Sequence, residues 1–257
     1  MNTLLELVIL YFNSSFKNDI YNNIAQYIMQ NLYLVKDMSI TDLAKSCYTS
    51  TTSISKFCKL FNYDSYKEFK KDLVSTHEAK LRQLEYRHQE VKIENIYQIY
   101  KLASADEEII KLEELLSISN SISNIMFKSK RIILFGAVYP LSIAFNFQGD
   151  LCALGKPVFC KHTMLSFNDF SLNKGDLAII ITVTGRYVKT RIVEFNTIFF
   201  SDAKKIIISQ NTDFCDSNII EFNIPLPGNK EIIEMNYCLM AVFDLIKYQY
   251  YQNYHFV

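Results

Sequence analysis

A run of hydroxyl and lysine side chains is the first feature of the sequence with an evident chemical use. Over 50–59 the sequence STTSISKFCK combines small hydroxyls with two lysines. Small hydroxyls in the first turn of a helix approach base edges or phosphates at no steric cost, and lysines meet the DNA backbone. The alternative is that these hydroxyls only cap and solvate a helix. We predict a DNA-reading helix that uses Ser50, Thr51, Thr52, Ser53, Ser55, Lys56 and Lys59.

Two further segments, at the ends of predicted strands, have the residue types that hold an anion. They are GAVY at 136–139 and TVTGRY at 182–187. Hydroxyls and the backbone amides at a helix start hold phosphate groups, and Arg186 or Lys189 stands close enough in sequence to assist. The alternative is that the threonines only end a strand and cap the next helix. The predicted ligand-binding residues are Gly136, Ala137, Tyr139, Thr182, Thr184, Gly185 and Tyr187.

Four short helices between 18 and 75 are predicted to position the first of these segments. Their expected N-terminal caps are Ser39 with Asp42, Ser50, and Ser65 with Glu68. Asn62 stands where the third of these helices needs a left-handed residue beyond its end. The buried stripe of that helix is Ile54, Phe57, Cys58 and Phe61. Two short helices joined by a tight turn define a helix-turn-helix.

The second half of the chain reads differently. All six glycines and all four prolines lie after residue 130, so the first half should be all helix. Apolar runs at 131–135, 177–183 and 204–209 alternate with amphipathic segments, which is typical of a parallel α/β sheet. Further strands are expected at 157–159 and 219–222. Helices are expected after the segment 136–140 up to about 154, over about 186–200 and over about 231–251. A ligand should bind at the carboxyl ends of the first and third strands.

Residues 38–73 resemble the N-terminal domain of the RpiR (MurR/RpiR) family of bacterial transcriptional regulators. The resemblance is carried by SISKFCK at 53–59, on the recognition helix, and YKEFK at 66–70, on the closing helix. Thr49, Lys56 and Asn62 stand where the family usually has an apolar residue, Arg and Gly. The resemblance implies a homodimer or a tetramer on a palindromic operator in double-stranded DNA, and it implies a regulator rather than an enzyme.

Residues of about 95–250 resemble the SIS (sugar isomerase) domain of the same family, which has a flavodoxin-like strand order. Family members have G-x-G-x-S after the first strand and S-x-S-G-x-T after the third; here Val138, Pro140 and Tyr187 depart from those motifs. The resemblance implies a phosphorylated sugar or related effector and control of carbohydrate-metabolism genes. Val138 and Pro140 favour the alternative that the domain only dimerises. A sugar-phosphate isomerase is the other alternative, and it ranks below the regulator because Glu234 and His162 do not form the acid–base pair that such an enzyme needs.

The complete prediction is a two-domain chain: an all-α helix-turn-helix bundle over 1–76, a helical linker over 77–128, and a doubly wound five-stranded parallel α/β sheet over 129–257. The 27 basic and 27 acidic residues give no net charge, which argues against a protein that coats nucleic acid or an anionic membrane through its overall charge. No pair of cysteines has CxxC spacing, so we expect no metal, no cofactor and a reduced, cytoplasmic protein. No apolar run is long enough to span a membrane.

Overall fold

The computed structural model describes residues 3–15, 19–104, 109–160, 172–211, 219–228 and 232–255. The chain divides into two compact units. Unit 1 comprises Met1–Gln89 and Gly149–Pro157, and unit 2 comprises Glu90–Gln148 and Val158–Val257. His162 lies outside the described residues. The domain limits given above stay a prediction, because a compact unit need not coincide with an independently folding domain.

Unit 1 is helical throughout its described secondary structure. Its helices are α1 (Leu4–Ser14), α2 (Ile20–Gln30), α3 (Leu32–Val35), α4 (Ile40–Ser46), α5 (Thr51–Leu60) and α6 (Tyr66–Glu90). The expected caps are confirmed: Ser39 and Asp42 form a capping box, the Ser50 hydroxyl accepts from the Ser53 amide, and the Ser65 hydroxyl accepts from the Glu68 amide. The fourth predicted helix continues without interruption to Glu90, because nothing in the polar sequence beyond Leu73 breaks it.

The core of unit 1 is an aromatic cluster beneath α5. Ile54, Phe57 and Cys58 of α5 are fully buried, as predicted. Phe57 meets Phe61 at 5.1 Å and Phe69 at 5.9 Å between ring centroids, in edge-on geometry. Edge-on contacts add to the free energy gained by burying the rings, so the aromatic cluster fixes α5 against the start of α6.

A buried lysine also holds unit 1 together. Lys80 of α6 is 5% exposed, and its Nζ lies 3.2 Å from Oε1 of Glu6 and 2.7 Å from Oδ1 of Asp150, which is itself 2% exposed. One turn earlier on α6, Nε2 of His77 lies 2.8 Å from the carbonyl oxygen of Ala153. These contacts bind α6 to α1 and to segment 149–157 of the same unit.

Unit 2 contains all the described strands. Its elements are α7 (Ile93–Tyr100), α8 (Leu112–Lys128), β1 (Arg131–Gly136), α9 (Val138–Ile143), α10 (Phe145–Ala153, whose last residues belong to unit 1), β2 (Val158–Cys160), β3 (Asp176–Ile181), α11 (Arg186–Thr190), α12 (Ile192–Phe199), β4 (Lys204–Ser209), β5 (Phe222–Pro225) and α13 (Glu234–Tyr254). Helix α13 packs against α7, α8 and α9.

The strands form one parallel sheet in the order β2-β1-β3-β4-β5, so the predicted doubly wound, flavodoxin-like fold is confirmed for the described residues. Leu134 of β1 lies beside Ile179 of β3, which lies beside Ile206 of β4. Strand β3 is buried along its whole length, which agrees with helices covering both faces of the sheet. Arg131 and Asp176 open β1 and β3 side by side and pair through two hydrogen bonds.

Four sequence-based boundaries are wrong in detail. The last strand runs from Phe222 to Pro225, beyond the predicted 219–222, because Pro225 ends an edge strand where no further strand needs its missing N–H. The helix predicted to follow 136–140 and to end at about 154 is divided at Ala144. The helix predicted over 186–200 is divided at Arg191, whose backbone leaves the helical region (φ −120°, ψ 45°). Helix α13 begins at Glu234.

Candidate functional site

Helix α5 carries all the residues predicted to read DNA, together with its N-terminal cap. Ser50 is that cap: its Oγ accepts a hydrogen bond from the Ser53 amide at 3.1 Å and lies 3.0 Å from the Ser53 hydroxyl. The Ser55 hydroxyl donates to the Thr51 carbonyl at 3.1 Å. Three of the predicted hydroxyls therefore also serve the helix itself, as the capping alternative expects.

The remaining side chains of this face point into solvent. Thr51, Thr52, Lys56 and Lys59 are exposed, and Ser53 is half-buried. Within the described part of the chain, neither Lys56 nor Lys59 forms an ion pair, so both charges stay available to a polyanion. The positive end of the helix dipole adds to the same potential at the first turn of α5.

The other lysines near α5 divide into two kinds. Lys70 donates to the Met38 carbonyl at 2.9 Å, and the Tyr66 hydroxyl donates to the same oxygen at 3.2 Å, so Lys70 serves the structure of unit 1. Lys45 and Lys67 are exposed. The exposed lysines on α4, α5 and the first turn of α6 are therefore Lys45, Lys56, Lys59 and Lys67.

A cavity of about 460 Å³ lies in unit 2 at the carboxyl ends of β1 and β3. We call it the strand-end cavity. Five of the seven residues predicted to bind a ligand line it, namely Ala137, Tyr139, Thr182, Thr184 and Tyr187. The structure thus brings the two predicted segments to one place, as the parallel strand order requires.

The other two predicted residues, Gly136 and Gly185, shape the backbone beside the cavity instead of lining it. A Cβ on Gly136 would lie 2.8 Å from the Ile181 carbonyl oxygen, so only glycine permits β1 and β3 to approach so closely at their ends. Gly185 has φ 77° and precedes α11, a left-handed conformation that other residues rarely adopt. These two glycines therefore affect the site by setting the path of the backbone beside it.

The cavity has one polar group that stands out. Thr182 is 2% exposed, and its Oγ1 is buried without a hydrogen-bond partner among the described residues. Buried hydroxyls are nearly always hydrogen-bonded. A donor or acceptor of a bound ligand would therefore supply the hydrogen bond that the Thr182 hydroxyl lacks in the described structure. Arg186 and Arg191 line the cavity and are exposed, so they bring positive charge to a site where an anionic ligand could bind.

Most of the cavity wall is apolar, and part of it comes from residues that sequence reasoning missed. Helix α13 supplies Met235, Asn236 and Leu239, and Ile232 lies two residues before the helix begins. These positions have the spacing of one helix face. That periodicity is visible in the sequence, but nothing local tells which strand end the face meets. Lys189, expected to assist, does not line the cavity among the described residues, and neither does Glu234.

Other kinds of site find little support in the described residues. No group of three or more metal-binding side chains occurs there, and no described helix is long and apolar enough to cross a membrane. Burial raises the pKa of the Cys58 thiol to about 12, and that of the Cys160 thiol also to about 12, so both stay protonated and weakly nucleophilic.

The geometry of unit 1, two short helices joined by a tight turn with an exposed second helix, defines a helix-turn-helix domain. Residues 14–80 match the family model described as the helix-turn-helix domain of the rpiR family. This part of the chain is an rpiR-family helix-turn-helix domain, which confirms the resemblance noted in the sequence.

Comparison with solved structures gives the following similarities. The Vibrio vulnificus NanR protein complexed with ManNAc-6P is 16% identical, with TM-score 0.46 and coverage of 96% of this chain and 92% of that one. The sugar isomerase domain of an RpiR transcription factor from Sphaerobacter thermophilus is 15% identical, with TM-score 0.46 and coverage of 67% and 89%. A Methanococcus jannaschii protein inferred to be a 3-hexulose-6-phosphate isomerase is 20% identical, with TM-score 0.44 and coverage of 62% and 87%. A search of curated protein sequences finds no significant match.

Proposed function

We propose that the chain is a cytoplasmic, sequence-specific DNA-binding transcriptional regulator of the RpiR type that responds to a small-molecule effector. The observation that carries the proposal is the rpiR-family match over 14–80, which contains the exposed hydroxyl and lysine face of α5. A helix with this face fits the major groove, its first turn towards base edges and its lysines towards phosphates. The protein acts as a homodimer or tetramer on a palindromic operator.

The proposed effector is a phosphorylated sugar or related metabolite bound in the strand-end cavity, and the regulated genes are those of carbohydrate metabolism. Arg186 and Arg191 would receive the phosphate, and the Thr182 hydroxyl would bond a polar group of the ligand. The apolar wall from α13 would cover the ring. A coupling free energy of about 1–3 kcal/mol between effector and operator would change operator affinity by roughly 5- to 150-fold.

One alternative has a specific observation in its favour: the C-terminal region dimerises the protein and binds no effector. Val138 and Pro140 line the cavity where the family motif has Gly and Ser. Pro140 has no N–H to donate, and Val138 narrows the approach to the backbone. A sugar-phosphate isomerase has less support, because no described acid–base pair faces the cavity.

DNA binding is tested by selecting genomic fragments with the purified full-length protein at near-physiological salt. A Ser53→Ala/Lys56→Ala variant is run in parallel, and selected fragments are confirmed by fluorescence anisotropy. Enrichment of a palindrome that the variant fails to enrich is the expected result. Enrichment of no sequence by the wild-type protein would reject the proposal. Lys128→Ala on α8 of unit 2, an exposed lysine far from α5 in the sequence, is the matched control and should select the same palindrome.

The effector is tested by thermal unfolding with a panel of hexose and pentose phosphates, with inorganic phosphate as the control ligand. A ligand at a hundred times its Kd stabilises the folded protein by about 2.7 kcal/mol, which raises the unfolding temperature measurably. The shift should disappear in a Thr182→Val/Arg191→Ala variant. No shift with any phosphosugar, for a protein that selects an operator, would favour the dimerisation-only alternative.

A further inference from the structure

The turn between α4 and α5 contains a residue whose backbone does not suit its side chain. Tyr48 has φ 52°, in the left-handed region. The Tyr48 amide donates to the Lys45 carbonyl at 3.0 Å, and the Thr49 amide donates to the Ala44 carbonyl at 2.8 Å. This pair of hydrogen bonds is the Schellman motif, which places a left-handed residue just beyond a helix end.

Helix α5 ends in the same motif, with a residue type that suits the left-handed position. There Asn62 has φ 64°, its amide donates to Lys59, and the Tyr63 amide donates to the Cys58 carbonyl. Asparagine and glycine tolerate left-handed geometry, whereas a tyrosine is under strain in it. Two identical turns in one unit thus carry a well-suited residue and a poorly suited one.

The Tyr48 side chain gives the fold nothing that offsets this strain. It is 97% exposed, and in the described structure it has neither a hydrogen bond nor a ring contact. Two nearby tyrosines behave differently, since the Tyr63 hydroxyl donates to Asp72 at 2.5 Å and the Tyr66 hydroxyl donates to Met38. A strained residue with a large exposed ring indicates a use outside the folded chain.

The position of Tyr48 in the chain indicates what that use is. Tyr48 stands two residues before Ser50, the cap of α5, and is close in sequence to the exposed Lys45, Thr51 and Thr52. We infer that Tyr48 is a further DNA-contacting residue, whose ring packs on a deoxyribose and whose hydroxyl donates to a phosphate oxygen beside the first turn of α5. This inference rests on the proposed DNA-binding function.

The test uses the full-length variants Tyr48→Asn, Tyr48→Gly and Tyr48→Phe against the selected operator. Because Asn and Gly suit the left-handed turn, both variants should unfold at the same temperature as the wild type or higher. Their operator affinity should fall by about fivefold, because each variant loses one hydrogen bond to the DNA and the packing contact of the ring. Tyr48→Phe should lose less and so separates the hydroxyl from the ring.

Salt dependence distinguishes this contact from a lysine contact. A neutral phenol displaces no counterion, so the Tyr48 variants should weaken binding by the same factor at every salt concentration, whereas Lys56→Ala should lower the slope of log K against log salt by about 0.9. Tyr86→Ala, another exposed tyrosine (63%) on α6, is the control and should bind like the wild type.

Two results would overturn the inference. If Tyr48→Asn and Tyr48→Gly both bind the operator with wild-type affinity, Tyr48 does not contact DNA. The proposed function would still stand, since the wild-type protein would still select its operator. A lower unfolding temperature in both variants would show that the Tyr48 ring stabilises the fold. Failure of the wild-type protein to select any sequence would instead reject the proposed function and this inference together.

Discussion

The two compact units of the chain use polar side chains in opposite ways. Unit 1 buries the ammonium group of Lys80 between two carboxylates and keeps the hydroxyls and lysines of α5 at its surface. Unit 2 fills β1 and β3 with isoleucine and leucine and leaves polar groups to the strand ends, with the Arg131–Asp176 pair at one end and Thr182 at the other. Unit 1 should therefore be sensitive to a change of charge, and unit 2 to a change of backbone fit.

The functional surfaces differ in the same way. The proposed DNA-binding face consists of side chains projecting from a helix that internal caps already hold, so most of them can be exchanged with little effect on folding. The strand-end cavity depends on how closely β1 and β3 approach, so its shape and the stability of unit 2 are set by the same residues. Substitutions that separate folding from binding should be easier to find on α5 than around the cavity.

The largest effect should come from Lys80→Met, which removes the charge that compensates two carboxylates. Leaving the 2%-exposed carboxylate of Asp150 without its lysine partner should destabilise the protein by about 3–5 kcal/mol in urea unfolding. The control is Lys204→Met in unit 2, where the lysine is 52% exposed and 3.7 Å from Glu221. That change should cost less than about 1 kcal/mol. Equal losses in the two variants would contradict the contrast between the units.

The next effect concerns backbone fit in unit 2. Gly136→Ala should cost about 1–3 kcal/mol, because the new methyl group meets the Ile181 carbonyl oxygen at 2.8 Å. Gly149→Ala is the matched control in α10, where a Cβ has its nearest neighbour at 3.9 Å. That helical position should gain about 0.5–1 kcal/mol instead. Differential scanning calorimetry of both variants measures the difference in sign, and a stabilising Gly136→Ala would show that the close strand approach is not required.

Helix caps and turn residues were predictable from the sequence, whereas the partners of buried side chains that lie far apart in the chain were not. The caps Ser39 and Ser50 and the left-handed Asn62 depend on residues within one turn, and each is found as predicted. The partners of Lys80 lie 70 or more positions away, so no pattern near Lys80 marks it as buried. Tyr48 escaped notice because its residue type argues against the conformation that the turn imposes.

The same limit applies to the sheet and the cavity. Strand alternation predicted the parallel fold and located the two segments that line the cavity, because successive β-α units must deliver their strand ends to one edge. The wall from α13 depends on how a distant helix packs, which periodicity alone does not give. Strand β5 was misplaced because Pro225 is permitted only by its position at the sheet edge, a property of the assembled sheet.

A smaller effect compares one hydroxyl from each unit. Ser50→Ala removes the cap of α5 and should cost about 1 kcal/mol. Thr182→Val removes a buried hydroxyl that has no protein partner in the described structure, so stability should be unchanged or raised. Thermal unfolding of the two variants without ligand checks this difference. Destabilisation by Thr182→Val as large as that by Ser50→Ala would mean that the hydroxyl is already satisfied and is not held open for a ligand.

The smallest effect is a difference in how the two units respond to acid. Burial lowers the pKa of His77 in unit 1 below its usual 6.5. The unfolded chain therefore binds a proton at His77 more tightly than the folded chain does. Protonation of His77 then favours unfolding, so stability is lost as the pH falls below about 6.5. In unit 2, burial acts to raise the pKa of Asp176, but hydrogen bonds from Arg131 and the Asn173 amide outweigh it and hold that pKa below 3.8. Asp176 therefore contributes stability above pH 3.8 that is lost only at lower pH.

Unit 1 should accordingly begin to lose stability at a higher pH than unit 2. Amide hydrogen exchange from about pH 8 to about pH 3 follows each unit separately, once exchange rates are corrected for their intrinsic pH dependence. His77→Gln removes the titrating ring but keeps a donor for the Ala153 carbonyl, so it should flatten the response of unit 1 near pH 6.5 and leave unit 2 unchanged. An unaltered pH response in His77→Gln would show that the acid sensitivity of unit 1 does not come from His77. The predicted difference between the two units would then have lost its physical basis.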